Sequence, residues 1–160
     1  MKKVIRILAL ALILVMLAGC DRGTKTFTCR DLTMTVPSSM KDVSDQSDFA
    51  AYTFTLDSSN LAVFALQERY DEYPFLEDCT LRDYAELVIQ ANDLNCRLVE
   101  RSSGEYLYFT YASENEGTVY RYLTGVYQSG EGFWVVQISA PITKYEETAF
   151  FEYLDSVKFS

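Results

Sequence analysis

Alternating apolar and polar residues predict the first strands of the chain. Residues 26–29 and 32–36 have the pattern of a hairpin, and Pro37 is placed to end its second strand. Residues 52–56 alternate again before a turn over 57–60, and the apolar run 61–66 then predicts a strand that is buried on both faces. The first part of the chain is therefore expected to be mostly β.

A helix is predicted after residue 80. Thr80 is a good N-cap because its hydroxyl can accept a hydrogen bond from the amide of Asp83. Apolar residues recur at helical spacing from Leu81 to Ala91, and Asn92 is placed to end the helix. This element is expected to pack one apolar face against the sheet.

The second half of the chain predicts a β-meander and a closing helix. The strands are expected over 96–101, 105–112, 118–128 and 133–140, with glycine-bearing turns between them. Residues 143–146 match a capping box, and apolar residues from 149 to 157 follow at helical spacing. The predicted fold class is α+β, an antiparallel sheet of about six to seven strands with two main helices packed on it.

The first twenty residues carry a targeting signal. Three positive charges in the first six residues precede the apolar run 7–18, which is too short to span a membrane. Leu17-Ala18-Gly19-Cys20 resembles the lipobox of bacterial lipoprotein precursors, in which the cysteine thiol receives a diacylglyceryl group and the preceding peptide bond is cleaved. We therefore expect a signal peptide at 1–19, a lipid-anchored tether at 20–25 and a single domain at 26–160.

This resemblance implies attachment to a cell membrane on its extracytoplasmic face, through the lipid on Cys20. More than one acyl chain gives stable attachment, whereas a single chain binds reversibly. Asp21 resembles the inner-membrane retention signal of proteobacterial lipoproteins, but it has no such meaning in a cell with one membrane. The choice between these two situations stays open.

The predicted mature chain is strongly acidic. The signal holds three of the 14 Lys and Arg residues and none of the 23 Asp and Glu residues, so the remaining 11 basic residues leave a net charge of −12. Such a surface repels a phosphate backbone, and we expect no nucleic-acid partner. The acidic segment 68–78 lacks the ligand spacing of a calcium loop and is expected to be a solvated loop.

Three cysteines remain once Cys20 carries lipid, and they permit at most one internal disulfide. Cys79 and Cys96 flank the first predicted helix, whose length separates them too widely for a bridge. A bridge from Cys29 to either of them is not excluded by spacing. Thiols beside apolar strand ends more often behave as small buried apolar groups, and we predict no disulfide.

The sequence offers no recognisable catalytic or cofactor site. It contains no histidine, which removes Ser-His and Cys-His pairs and the commonest zinc ligand. Ser38 and Lys41 match the Ser-x-x-Lys motif of serine β-lactamases, but the companion motifs are absent and we interpret the segment as a turn. We expect no catalytic residues, no metal and no cofactor, although paired carboxylates cannot be recognised without a fold.

One candidate binding surface follows from the predicted meander. A hairpin centred on 113–117 places Tyr108 opposite Tyr122 and Tyr106 opposite Thr124, with an apolar opposite face. Aromatic rings with hydroxyls and an amide suit sugars or peptides, although a helix covering this face is the alternative explanation. The candidate ligand-binding residues are Tyr106, Tyr108, Tyr120, Tyr122 and Gln137.

The order of elements is similar to that of the PsbP-like family, related to the extrinsic proteins of photosystem II. The features that carry the likeness are the hairpin ending at Pro37, Asp83-Tyr84 in the first helix, Ser139-Ala140-Pro141 at a strand end, and the closing segment 145–159. The resemblance implies an αβα sandwich. Members of that family serve as photosystem subunits, transport adaptors and bacterial lipoproteins of unknown role, so the likeness does not specify a function.

Taken together, these features favour a non-catalytic binding or protein-interaction module on a membrane surface. Its ligand is either a protein partner or an extracellular small molecule. Two alternatives stay open, namely an extracytoplasmic enzyme that uses carboxylates and a structural subunit of a membrane-bound assembly.

Overall fold

The computed structural model describes residues 23–46, 53–58, 61–103 and 105–160, without the side chains of residues 46 and 53–56. Seven of its strands pair into one antiparallel sheet. Its strands are β3 Lys41–Asp42, β4 Thr53–Ser58, β5 Leu61–Arg69, β6 Val99–Glu100, β7 Leu107–Asn115, β8 Thr118–Ser129 and β9 Gly132–Pro141. Their order in the sheet is β3-β4-β5-β9-β8-β7-β6, so β6 to β9 form the predicted meander.

A second sheet and two helices complete the described structure. The hairpin of β1 (Thr24–Cys29) and β2 (Leu32–Pro37) pairs with the short strand β10 (Lys158–Phe159) at the end of the chain. Helix α1 covers Leu81–Ala91 and helix α2 covers Glu147–Asp155. The expected signal peptide, Cys20 and Asp21, together with Tyr52 and the 59–60 part of the predicted turn, lie outside the described residues.

The seven-stranded sheet separates two hydrophobic clusters. On one face, Trp134, Val136 and Ile138 pack with the β1-β2 hairpin and with Phe150 and Leu154 of α2. On the other face, a second cluster packs beneath α1; its buried members are Leu76, Tyr84, Ala85, Leu107, Phe109, Val126, Phe133 and Val135. The molecule is therefore layered, with α2 and the small sheet on one side of the large sheet and α1 on the other.

Helix α1 begins as the sequence predicts. The Thr80 hydroxyl accepts a hydrogen bond from the Asp83 amide at 3.2 Å, and the Asp83 carboxylate accepts one from the Thr80 amide at 3.0 Å. This capping box satisfies two backbone donors that a helix start leaves unpaired. The predicted hairpin, helix α1 and the α+β fold class are confirmed.

Three local predictions are wrong. The segment 143–146 forms no capping box, because a 3-10 turn covers Ile142–Lys144 and Glu146, the N-cap of α2, makes no side-chain cap hydrogen bond. The strand predicted over 96–101 pairs only at Val99–Glu100. Strand β5 is fully buried on one face only, since Val63, Ala65 and Gln67 are buried while the residues between them are half-buried.

The hairpin of β7 and β8 has a different register from the predicted one. Its turn contains only Glu116 and Gly117, with φ angles of 49° and 78°, and Asn115 pairs with Thr118. Positive φ at both turn residues is the geometry of a type I′ hairpin turn. Tyr108 therefore lies opposite Gly125 rather than Tyr122, a shift of three residues, and an odd shift turns the side chains of one strand to the other face.

The three described cysteines are free thiols. Cys29 packs against the cluster on the α2 side, whereas Cys79 and Cys96 pack against the cluster beneath α1. The large sheet thus separates Cys29 from both other thiols. Burial raises the pKa of the Cys29 and Cys96 thiols, which keeps them protonated near neutral pH.

Two further features bear on the sequence interpretation. Ser38 lies in a turn, and its buried hydroxyl has no hydrogen-bond partner among the residues that the structure describes, Lys41 included. Within the described ranges, we find no helix whose length and apolar character would suit a membrane span.

Candidate functional site

The five residues of the predicted aromatic surface do not share one face of the sheet. Tyr106 and Tyr108 lie on the side covered by α2, where Tyr106 belongs to the buried cluster and Tyr108 packs against it. Tyr122 and Gln137 lie on the α1 side, since Tyr122 stacks on Tyr111 and Gln137 faces the α1 cavity described below. The predicted surface is wrong as a unit because it rested on the wrong register.

Tyr106 and Tyr108 are packing residues. Tyr106 is buried, stacks on Tyr127 with ring centroids 4.7 Å apart, and donates a hydrogen bond to Asp155 at 2.6 Å. Burial and this hydrogen bond raise the pKa of Tyr106, so the hydroxyl stays protonated. Tyr108 meets Phe151 of α2 edge to face at 4.9 Å. For these two tyrosines, the alternative that a helix covers the surface is correct.

Tyr122 and Gln137 belong to a different polar group, which includes Tyr111. Tyr111 pairs with Tyr122 across the strands, and their rings stack at 4.6 Å with 4° between their planes. Gln137 Nε2 donates a hydrogen bond to the Tyr111 hydroxyl at 2.8 Å. Tyr120 is half-buried two residues before Tyr122 on the same strand.

A cavity of about 460 Å³ opens between α1 and the large sheet. We call it the α1 cavity. Phe75 and Leu87 mark its mouth, since 62% and 43% of their surfaces are exposed. Its other lining residues are mostly apolar: Phe64, Leu66, Glu68, Leu76, Tyr84, Val88, Ala91, Asn92, Leu94, Phe109, Tyr111, Thr124, Val135 and Gln137. The volume and the composition are those of a small-molecule pocket.

Polar groups lie at one end of the α1 cavity, on the row of the sheet where Gln137 pairs with Thr124. Thr124 is 1% exposed, and its hydroxyl has no hydrogen-bond partner in the described structure. A buried hydroxyl without a partner is costly, at roughly 1–3 kcal/mol. With the Tyr111 hydroxyl beside Gln137, this end of the cavity has several groups that form hydrogen bonds.

A single carboxylate, that of Glu68, lies among the described residues that line the α1 cavity. The Tyr84 hydroxyl donates to its Oε2 atom. Burial, together with this bond, holds the pKa of Tyr84 far above its usual range, so Tyr84 remains a donor. The ring of Tyr84 is held in place by stacking on Phe133, with ring centroids 4.3 Å apart and 9° between the planes.

Glu68 lies far from the Thr124 end of the cavity. It pairs with Phe133 across the strands, whereas Phe64 pairs with Gln137. Four residues along a strand separate these two rows, a distance of about 13 Å. The α1 cavity therefore has an acidic end, an apolar middle and an uncharged polar end.

The sequence did not reveal this site. Glu68 was expected in a solvated acidic loop over 68–78, but β5 continues to Arg69, and a 3-10 turn covers Pro74–Asp78. The position of Thr124 depends on the strand register. The one available signal was Leu87, which lies at helical spacing from Tyr84 and Ala91 and yet is 43% exposed in the folded chain.

The comparisons with known proteins show the fold. No family model matches the chain, and no curated protein matches it. A crystal structure of a protein from Bacteroides thetaiotaomicron is similar, with a TM-score of 0.56 and 16% identity over 87% of this chain, which spans 49% of that protein. The Mog1 E65A mutant is similar with a TM-score of 0.56 and 11% identity, over 86% of this chain and 96% of Mog1.

These identities are too low to carry a function from either protein. The two structural similarities support the fold seen here, in which two helices pack on opposite faces of an antiparallel sheet. The chain therefore has the PsbP-like α+β fold expected from its sequence.

Proposed function

We propose that this protein is a non-catalytic binding module, held at the extracytoplasmic face of a membrane by lipid on Cys20, and that the α1 cavity is its ligand site. The proposal includes membership of the PsbP-like group of bacterial lipoproteins. The ligand is a small molecule, or an apolar side chain of a protein partner, that enters between α1 and the sheet.

The observation that carries the proposal is an apolar cavity whose mouth has exposed Phe75 and Leu87. Exposing large apolar side chains to water is unfavourable, and a contiguous exposed group of them is typical of a binding site. A ligand that covers Phe75 and Leu87 would remove this apolar surface from water. At roughly 25 cal/mol for each Å² buried, that gain favours association.

The lining also favours binding over the rival enzymatic function. Hydrolysis of glycosides by carboxylates requires two such groups about 5 to 10 Å apart. Among the described lining residues, Glu68 is the one carboxylate, and its partner is a tyrosine hydroxyl. A structural subunit would use an outer surface, and the α1 cavity gives no specific support for that role.

The first described residue, Gly23, follows the proposed lipid-anchored Cys20 closely in the sequence. The Gly23 carbonyl accepts a hydrogen bond from the Ser38 amide at 2.8 Å. Cys20 precedes Gly23 by three residues, which reach about 10 Å at most. Strand β1 belongs to the layer on the α2 side of the large sheet, so the first described strand and the α1 cavity are on different sides of that sheet.

Calorimetric titration tests the site. The mature lipoprotein in phosphatidylcholine nanodiscs is titrated with phenylbutanol, an uncharged probe, and empty nanodiscs provide the blank. We expect saturable binding that Ala91→Trp reduces at least tenfold, because Ala91 lines the α1 cavity. Gln90→Trp is the matched control, since Gln90 is exposed on the same helix and is not among the lining residues.

Equal binding by Ala91→Trp and Gln90→Trp would place the probe elsewhere and overturn the proposed site. No heat beyond that of the empty nanodiscs would also contradict it. A circular dichroism melt of each variant confirms that the added indole has not unfolded the domain.

A further inference from the structure

We propose that the α1 cavity selects organic cations, and that Glu68 binds the positive charge while the apolar middle of the cavity holds the organic body. This inference rests on the proposed function, because it names the chemical class of ligand for the same site. The inference depends on the charged residues that line the α1 cavity and on the hydrogen bonds of the Glu68 carboxylate.

Glu68 has no cationic partner in the described structure. Its Oε2 accepts from the Tyr84 hydroxyl, and the neighbouring Arg69 pairs instead with Asp71 at 2.9 Å and with Glu131 at 2.8 Å. Neutral hydrogen bonds satisfy a carboxylate less completely than a cation does. Glu68 therefore retains acceptor capacity for a cation at the wall of a largely apolar cavity.

Tyr84 keeps the carboxylate in place. Its ring is fixed against Phe133, and its hydroxyl remains protonated because burial and the adjacent carboxylate raise its pKa. The position of the Glu68 charge is therefore set before a ligand arrives. A preorganised charge of this kind loses little conformational freedom when a cation binds.

The rest of the site disfavours anions. No lysine or arginine is among the described residues that line the α1 cavity, so an anionic ligand would meet Glu68 without compensation. The net charge of −12 expected for the mature chain adds a repulsive field of the same sign. A primary ammonium group on an apolar chain or ring fits both the charge and the shape of this cavity.

Three probes with one apolar body and different charges test the selection. Phenylbutylammonium, phenylbutanol and phenylbutyrate are titrated calorimetrically into the mature lipoprotein in phosphatidylcholine nanodiscs. We expect the ammonium to bind about tenfold more tightly than the alcohol, which corresponds to roughly 1.4 kcal/mol, and the carboxylate to bind most weakly. Glu68→Gln is expected to abolish the preference for the ammonium, so that the ammonium and the alcohol bind this variant with affinities within about threefold of each other.

Glu86→Gln is the matched control. It removes one negative charge from an exposed position on α1 that is not among the lining residues, so we expect the preference for the ammonium to persist. Glutamine at 68 can still accept from Tyr84, and melting curves check that this variant folds. If all probes bind equally, if Glu68→Gln keeps the preference, or if both variants lose it alike, Glu68 does not select the ligand. If the wild-type protein does not bind the alcohol at all, the proposed ligand site itself is wrong.

Discussion

Tyr111 lies directly opposite Tyr122 in the ladder between β7 and β8, and the two rings stack with centroids 4.6 Å apart. This pairing defines the observed register of the central hairpin. It places the Tyr122 side chain on the face of the sheet that carries the α1 cavity and directs Tyr108 to the opposite face, toward α2.

A double-mutant cycle tests this register. Because stacked rings in contact couple energetically, we expect Tyr111→Ala and Tyr122→Ala to be non-additive by about 0.5–1.5 kcal/mol in denaturant melts. Tyr108→Ala with Tyr122→Ala is the matched control and should be additive within about 0.5 kcal/mol, since the sheet separates the two side chains. Coupling in the control pair alone would support the register that places Tyr108 opposite Tyr122.

Most of the fold could be predicted from the sequence because it depends on local patterns. The capping box at Thr80 and Asp83 and the apolar alternation of β2 and β9 specify their elements without long-range information. The register of β7 and β8 could not be predicted. Residues 112–115 of β7 are exposed beyond the core, so no hydrophobic pattern indicates that the strand continues to the turn at Glu116 and Gly117.

The candidate site was harder to predict because it depends on contacts between residues that are distant in the sequence. The α1 cavity depends on how α1 sits over the sheet, and no single residue specifies that placement. Glu68 follows an apolar run and precedes several acidic residues, and this composition is typical of a strand end leading into a loop. Its role is visible only with Tyr84, which lies 16 residues later in the sequence.

The unpartnered hydroxyl of Thr124 gives a second prediction. Thr124→Val keeps the shape of the side chain and removes a buried polar atom that lacks a hydrogen bond, so we expect the free energy of unfolding to rise by about 1 kcal/mol. Urea denaturation measures the change. Thr110→Val, at a half-buried position on the neighbouring strand β7, is the control and should stay within about 0.5 kcal/mol of the wild-type protein. A loss of stability in Thr124→Val would show that the hydroxyl has a partner.

A third prediction concerns acid stability. Arg101 donates two hydrogen bonds to Asp155, at 3.0 and 2.6 Å, and these bonds, together with one from Tyr106, hold the pKa of Asp155 below its usual value. A lowered pKa in the folded state contributes stability above the ordinary Asp pKa of roughly 4, and this contribution is lost as the pH falls through the lowered value.

We therefore expect Asp155→Asn to be less stable than the wild-type protein at pH 7, by no more than about 1 kcal/mol because the pair is partly exposed. The difference should shrink below roughly pH 4, when the wild-type carboxylate also becomes protonated. Glu152→Gln, an exposed change on the same helix, should show no such convergence. A difference that stays constant from pH 7 to acid would contradict the role of the Arg101 pair. Thermal melts across this pH range provide the measurement.

The lipid anchor gives a fourth prediction. Cys20→Ala removes the thiol that would receive the diacylglyceryl group, so the protein should accumulate as an uncleaved precursor or leave the membrane fraction. Metabolic labelling with a radioactive fatty acid should mark the wild-type chain and not the variant. Cys29→Ala is the control and should be labelled like the wild-type protein. A Cys20→Ala protein that is processed and still sediments with membranes would contradict the anchor.

The most direct test of the α1 cavity as the ligand site is the observation of a bound probe inside it. Nuclear Overhauser effects are measured between phenylbutanol and the methyl groups of the mature lipoprotein in deuterated-lipid nanodiscs. We predict contacts from the phenyl ring to the methyl groups of Leu87, Val88 and Val135, which line the α1 cavity. Contacts to Val63, Leu123 and Ile138 on the other face of the sheet, or none above those of empty nanodiscs, would contradict the account.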